Sequence, residues 1–135
     1  MESTVTATTK NKRVLVIEDE QFISELYVRA LTKAGYEVKV LIDGVQALAE
    51  AQNNSYDVIL LDIMLPNMMG GEILKRLRDR AITPHLKAKI IITTNLELDE
   101  KGRAAIESQA DGYIVKAEVT PKELVKFLNQ LQLNI

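Results

Sequence analysis

Five short aliphatic runs, each followed by a stretch with helical periodicity, restrict this chain to very few folds. The runs occupy residues 14–17, 36–42, 57–61, 89–93 and 112–115. Two antiparallel strands need only a tight turn between them, whereas parallel strands need a crossover of a dozen or more residues, usually a helix. Strands alternating with helices therefore predict an α/β domain with a parallel sheet covered on both faces. The third run contains Val58-Ile59-Leu60-Leu61 without polar alternation, which suits a central strand buried on both sides.

The intervening segments carry helix signals. Phe22, Ile23, Leu26, Tyr27, Ala30, Leu31 and Ala34 recur at helical spacing, and Gly35 stops that helix. Asp43 is an N-cap before Val45, Leu48 and Ala49, and residues 72–80 carry Ile73, Leu74 and Leu77. Residues 99–108 form a helix with sparse apolar content. In the last helix Thr120 is the N-cap, Pro121 the first helical residue and Glu123 the N3 residue of a capping box. Leu124, Val125, Phe127, Leu128 and Leu131 supply its apolar face.

At 135 residues the chain has room for one domain. Residues 1–12 are Thr-rich with little hydrophobicity and read as a disordered tail, leaving 13–135 as the folded unit. Cysteine is absent, which excludes a disulfide framework and a Cys-ligated metal. A formal net charge of −2 gives no electrostatic reason to expect nucleic-acid binding. No apolar stretch reaches membrane-spanning length and the N-terminus lacks a secretion signal, so a cytoplasmic protein is the expectation.

In parallel α/β sheets chemistry collects at the carboxyl ends of the strands. Glu18 and Asp19 follow the first run, Asp62 ends the third and opens a loop marked by Pro66 and Gly70, Thr93-Thr94 ends the fourth, and Lys116 follows the fifth. Parallel strands bring these residues to one rim. Carboxylates ~4 Å apart at an effective dielectric near 20 repel by roughly 4 kcal/mol per pair. A hard divalent cation offsets that repulsion, and Mg²⁺ suits one or two carboxylates with waters and a phosphate. A carboxylate beside such a cation, a Lys and a Thr is a phosphoryl-transfer constellation in which Asp serves as nucleophile.

Taken together and in order, Val-Leu-Val-Ile-Glu18-Asp19, Asp62-Ile-Met-Leu-Pro66 with Gly70, Ile-Ile-Thr93-Thr94 and Asp111-Gly112-Tyr113-Ile-Val-Lys116 resemble the response-regulator receiver domain, the CheY-like module of two-component signalling. The resemblance covers residues 13 to about 133. It implies a flavodoxin-like doubly wound (βα)5 fold with strand order 2-1-3-4-5, for which the receiver is itself a standard example. It also implies that Asp62 is the phosphoacceptor, Asp19 a direct ligand of Mg²⁺ (or Mn²⁺), Glu18 an acid acting through metal-bound water, and the Met64 backbone carbonyl a further ligand. Thr94 is then the switch hydroxyl, Lys116 a phosphoryl contact and Tyr113 the switch aromatic. The implied partners are a sensor histidine kinase or histidine phosphotransfer protein and a downstream target, with a phosphorylation-dependent homodimer as a further option. Signalling in the family runs through the fourth helix, fifth strand and fifth helix, here near Ile106, Tyr113 and Lys122.

Several positions depart from the family pattern, including Gln109, which stands where a helix-ending Gly is usual, and a slightly long stretch over 81–87; two lie beside the site. Ala117 stands where a Pro normally follows the Lys, and Asn95 stands where a small residue normally follows the Thr. A cis bond before a non-proline costs roughly 3 kcal/mol, so Lys116–Ala117 is expected either trans with a re-routed loop or cis under strain. Asn95 would narrow the entrance to the site.

Plainer readings stand beside these. Asp19 could cap the first helix, Tyr113 could be a half-buried strand residue, and Met64, Met68 and Met69 read as adaptable packing. His85 has no partner acids and is expected in solvent. A degenerate receiver acting only as a protein-interaction domain is the main alternative. A phosphatase of the haloacid dehalogenase type wants an Asp where Met64 stands. A flavin carrier would need a phosphate-cradling loop where Glu18-Asp19-Glu20 stands.

Overall fold

The computed structural model describes residues 12–65, 70–83, 86–95 and 99–131. Most of the N-terminal tail, and Pro66, Met68, Met69 and His85, lie outside the described residues. Lys12, just before β1, accepts from Glu37 N–H through its carbonyl at 2.9 Å.

Five strands form one parallel sheet: β1 (Arg13–Ile17), β2 (Glu37–Leu41), β3 (Val58–Asp62), β4 (Lys89–Thr94) and β5 (Gly112–Val115), in the order β2-β1-β3-β4-β5. The helices are α1 (Gln21–Lys33), α2 (Gly44–Asn53), α3 (Gly70–Leu77), α4 (Glu100–Glu107) and α5 (Pro121–Gln130). This is the doubly wound fold expected from the sequence. Among the described residues no helix is long and apolar enough to cross a membrane.

The two faces of the sheet are written in alternate residues of each strand, because successive side chains point to opposite sides. Leu15, Ile17, Ile59, Leu61, Ile90 and Ile92 pack with Ala47, Leu48 and Ala51 of α2 and Ile73, Leu74 and Leu77 of α3. Val14, Val16, Val58, Leu60, Ile91 and Ile114 pack with Tyr27 and Leu31 of α1 and Leu124 and Leu128 of α5. All five residues of β3 are buried, as its uninterrupted run requires.

Helix ends follow their sequence signals. Gly35 takes φ +100°, a region open to Gly without a Cβ penalty, and lets the chain leave α1. Gly35 N–H then donates to Thr32 O at 3.0 Å and Tyr36 N–H to Leu31 O at 3.0 Å, the paired bonds of a Schellman ending. Asp43 caps α2 by accepting from Val45 N–H at 2.7 Å, and the capping box of Thr120 and Glu123 is complete at both of its hydrogen bonds. The phase of some helices differs from expectation. Phe22, Val45 and Ala49 are exposed; α2 buries Leu48 as expected, and with it Gly44, Ala47 and Ala51. Helix α3 ends at Leu77, short of Arg80, and α4 buries none of its residues, in keeping with its sparse apolar content.

Candidate phosphoryl-transfer site

The register of the sheet brings the polar ends together. Ile17 is level with Leu61, Asp62 with Thr93, and Thr94 with Val115. One residue further on, β1 presents Glu18 and β5 presents Lys116. Glu18, Asp19 and Asp62 each offer a carboxylate oxygen within 4.8 Å of the others. Asp19, Glu20, Asp62, Met64, Thr94, Asn95 and Lys116 line a cleft of about 230 Å³.

Lys116 organises the acids. Its Nζ lies 2.9 Å from Asp62 Oδ2 and donates a hydrogen bond to it, and it lies 2.6 Å from Glu18 Oε1. The side chains of all three residues are at most 4% exposed. Glu18 Oε1 receives no well-directed hydrogen bond, so its contact with the ammonium is an ion pair of close approach. Glu18 Oε2 accepts from Glu20 N–H at 3.1 Å, and Asp62 Oδ1 accepts from Met64 N–H at 3.0 Å, which orients that carboxylate.

Burial raises the pKa of Glu18, against the lowering effect of the close Lys116 ammonium and the Glu20 hydrogen bond. For Lys116 burial works downward, but the contacts with the Glu18 and Asp62 carboxylates prevail and the net shift is upward. Lys116 therefore stays an ammonium despite its burial.

The donor set fits a divalent cation. With all groups ionised, three carboxylates face one ammonium and leave an excess of two negative charges. The ligands are oxygens, as Mg²⁺ and Mn²⁺ prefer. At about 230 Å³ the cleft is smaller than the roughly 300–1,000 Å³ typical of drug-sized ligands, which suits an ion with a phosphoryl group better than a flavin.

Of the residues picked out from the sequence, Glu18, Asp19, Asp62, Met64, Thr94 and Lys116 meet here. Thr94 is fully buried and lines the cleft. Tyr113 does not line it. That ring is half-buried in β5, packs against the α2–α3 side core and carries the Arg103 guanidinium 4.6 Å from its centroid. Lys116–Ala117 is resolved as trans, since no cis bond occurs among the described residues. The chain turns at once into a short 3-10 turn, Lys116–Glu118, yet Lys116 still reaches Asp62. Glu20 had no separate signal in the sequence and reaches the cleft only through the loop geometry after β1.

The family model of the response regulator receiver domain matches residues 14–129. The chain is 39% identical over 104 residues to the response regulator ArlR of Staphylococcus saprophyticus, covering 77% of this chain and 45% of that protein. It thus spans about half the length of the curated relatives it matches. Its fold is similar to the chemotaxis protein CheY4 of Vibrio cholerae, with a TM-score of 0.77, 32% identity, and coverage of 91% of this chain and 100% of the other. The receiver domain of the sensor histidine kinase PA1611 from Pseudomonas aeruginosa has the same TM-score of 0.77 at 25% identity, covering 90% of this chain and 97% of the other, and that structure has a magnesium ion coordinated in its active site cleft.

Proposed function

From the premise that this chain belongs to the response regulator receiver domain family, we propose that it accepts one phosphoryl group on Asp62 from a phosphohistidine donor, in a reaction that needs Mg²⁺. The donor is a sensor histidine kinase or a histidine phosphotransfer protein, met in the cytoplasm. The observation that carries this reading is the buried Asp62 carboxylate, held by Lys116 at 2.9 Å inside a three-carboxylate cleft.

The chemistry follows from the groups present. An Asp62 oxygen attacks phosphorus, the P–N bond of the donor breaks, its electron pair returns to the imidazole, and the product is an acyl phosphate. Glu18, Asp19, Asp62 and the Met64 carbonyl are the residues that would hold the ion. Bound there, Mg²⁺ supplies positive charge to oxygens that become more negative during transfer. The PA1611 receiver, with its coordinated magnesium, supports this assignment by similarity. Lys116 offers its ammonium to a phosphoryl oxygen, and Thr94 offers its hydroxyl. The output surface is α4, β5 and α5, including Ile106, Tyr113 and Lys122, through which a downstream target or a second copy docks. Self-phosphorylation from small donors and self-dephosphorylation are the only reactions this site performs without a partner.

Acetyl phosphate tests the proposal. Intact-mass measurement should register one added phosphoryl group on the wild type with Mg²⁺, none with a chelator, and none on Asp62→Asn. Equal behaviour of wild type and Asp62→Asn would refute it, and would favour a phosphorylation-independent interaction domain.

A further inference from the structure

Two neighbouring loops meet beside the cleft through a contact that involves neither the acids nor the Lys116 ammonium directly. Ala117 N–H donates to Asn95 Oδ1 at 2.7 Å. Asn95 follows the last residue of β4, and Ala117 follows the Lys that reaches Asp62. The β4–β5 register ends with Thr94 level with Val115. One more step would pair 95 with 116, and in a parallel ladder the N–H of 117 would then take its acceptor from residue 95. Asn95 supplies that acceptor from its side chain, after the strands have stopped pairing.

A proline at 117 has no N–H and could not make this bond. The two departures beside the site, Ala117 and Asn95, thus meet in one hydrogen bond. We propose that Asn95 is a positioning residue whose side-chain carbonyl clasps the trans Lys116–Ala117 turn to the end of β4, and so holds the Lys116 ammonium on Asp62. This deepens the phosphoacceptor reading and, for its effect on phosphorylation rate, rests on it.

The physical logic is one of reach. Lys116 bears four methylenes and must place its ammonium between Glu18 Oε1 and Asp62 Oδ2. The backbone at 116 sits where β5 gives way to a three-residue 3-10 turn, whose closing bond, Val119 N–H to Lys116 O, is long at 3.4 Å. The turn is thus weakly closed on its own, and the Asn95 contact ties its backbone to the end of β4. Because Asn95 also lines the cleft, the clasp stands directly beside the position an incoming phosphoryl group would take.

The clasp makes a prediction opposite in sign to that of simple obstruction. If Asn95 only narrowed the entrance, Asn95→Ala would speed labelling. As a clasp, its loss slows labelling by acetyl phosphate about fivefold, the equivalent of one net hydrogen bond. The same loss raises hydrogen exchange at the Ala117 amide by about the same factor in Mg²⁺-free, unphosphorylated protein, and Asn95→Asp, which keeps an acceptor oxygen, preserves the protection. Ala117→Pro removes the donor, so Asn95→Ala should cost nothing further in urea unfolding of an Ala117→Pro background. Faster labelling of Asn95→Ala, an Ala117 amide whose exchange ignores that substitution, or additive costs of the two substitutions would overturn the clasp. Exchange and unfolding are read without phosphorylation, so they stand even where the phosphoacceptor reading fails.

Discussion

Lys116 is the residue on which the electrostatics of the site turn. It is buried with two carboxylates, and removing one partner of a buried ionic group costs about 3–5 kcal/mol because the remaining charge is stranded. Lys116→Met should therefore lower the urea-unfolding free energy of the Mg²⁺-free protein by an amount of that order. Its effect on ion affinity has the opposite direction. The ammonium competes with a cation for the same oxygens, so titration calorimetry should find tighter Mg²⁺ binding in Lys116→Met, and added Mg²⁺ should restore more stability to the variant than to the wild type. Unchanged stability together with weaker ion binding would contradict this account. At this scale the acids and Lys116 were legible in the sequence, since each lies at a strand end and parallel pairing fixes which ends converge. The ion pair of Lys116 with Glu18 and the bond from Ala117 to Asn95 were not. Both depend on the path of a loop after its strand has ended, and no periodicity encodes that path. The expectation that Asn95 narrows the entrance named the right residue and missed its hydrogen bond.

Among the elements, β5 is closely approached by its neighbours at its first residue. A Cβ at Gly112 would lie 2.9 Å from Ile91 Cδ1 and 3.0 Å from the Phe127 ring, closer than carbon atoms normally approach. Gly112 therefore lets β4 and α5 close over the start of β5. Gly112→Ala should destabilise the fold by about 1–3 kcal/mol through overpacking, and Phe127→Leu in the same chain should recover part of the loss by vacating ring volume. Urea midpoints of the single and double variants check this, and additive losses would count against it. The sequence announced β5 through Tyr113-Ile114-Val115, but the reason for a Gly at its head appears only in the packing. The same division runs through the helices. Asp43, Gly35 and the Thr120–Glu123 box mark helix ends by local hydrogen bonding, which is readable from neighbouring residues. The face a helix buries depends on how it lies on the sheet, and so Val45 and Phe22 turned outward while Ala47 and Ala51 turned in.

For the molecule as a whole, the tyrosines set a limit on the alkaline side. Burial raises the pKa of Tyr27, Tyr36, Tyr56 and Tyr113 alike. Tyr56 moves furthest, from 10.0 to about 12, through burial first and then through its 2.5 Å hydrogen bond to Glu50 Oε2. Below pH 10 this phenol is protonated in folded and unfolded chains, and its contribution to stability is complete. As pH rises from 10 towards 12 the unfolded chain ionises first, so the folded state loses stability progressively, by roughly 3 kcal/mol from Tyr56 alone for a two-unit shift. Lys116, also raised, adds a loss in the same direction as pH passes its folded value. Glu50 works at the other end. Its pKa is lowered by the Tyr56 hydrogen bond first, so its contribution is present above about 4.5 and fades as pH falls through the depressed value. One hydrogen bond thus shapes both limbs of the stability profile, and Tyr56→Phe removes it while keeping the ring in the core. Urea-unfolding free energies measured from pH 9 to 12 should fall less steeply in Tyr56→Phe than in the wild type, and the acid limb below pH 4.5 should flatten as well. A variant whose profile runs parallel to the wild type at both ends would place the pH sensitivity elsewhere, in the other three phenols and the Lys116 cluster.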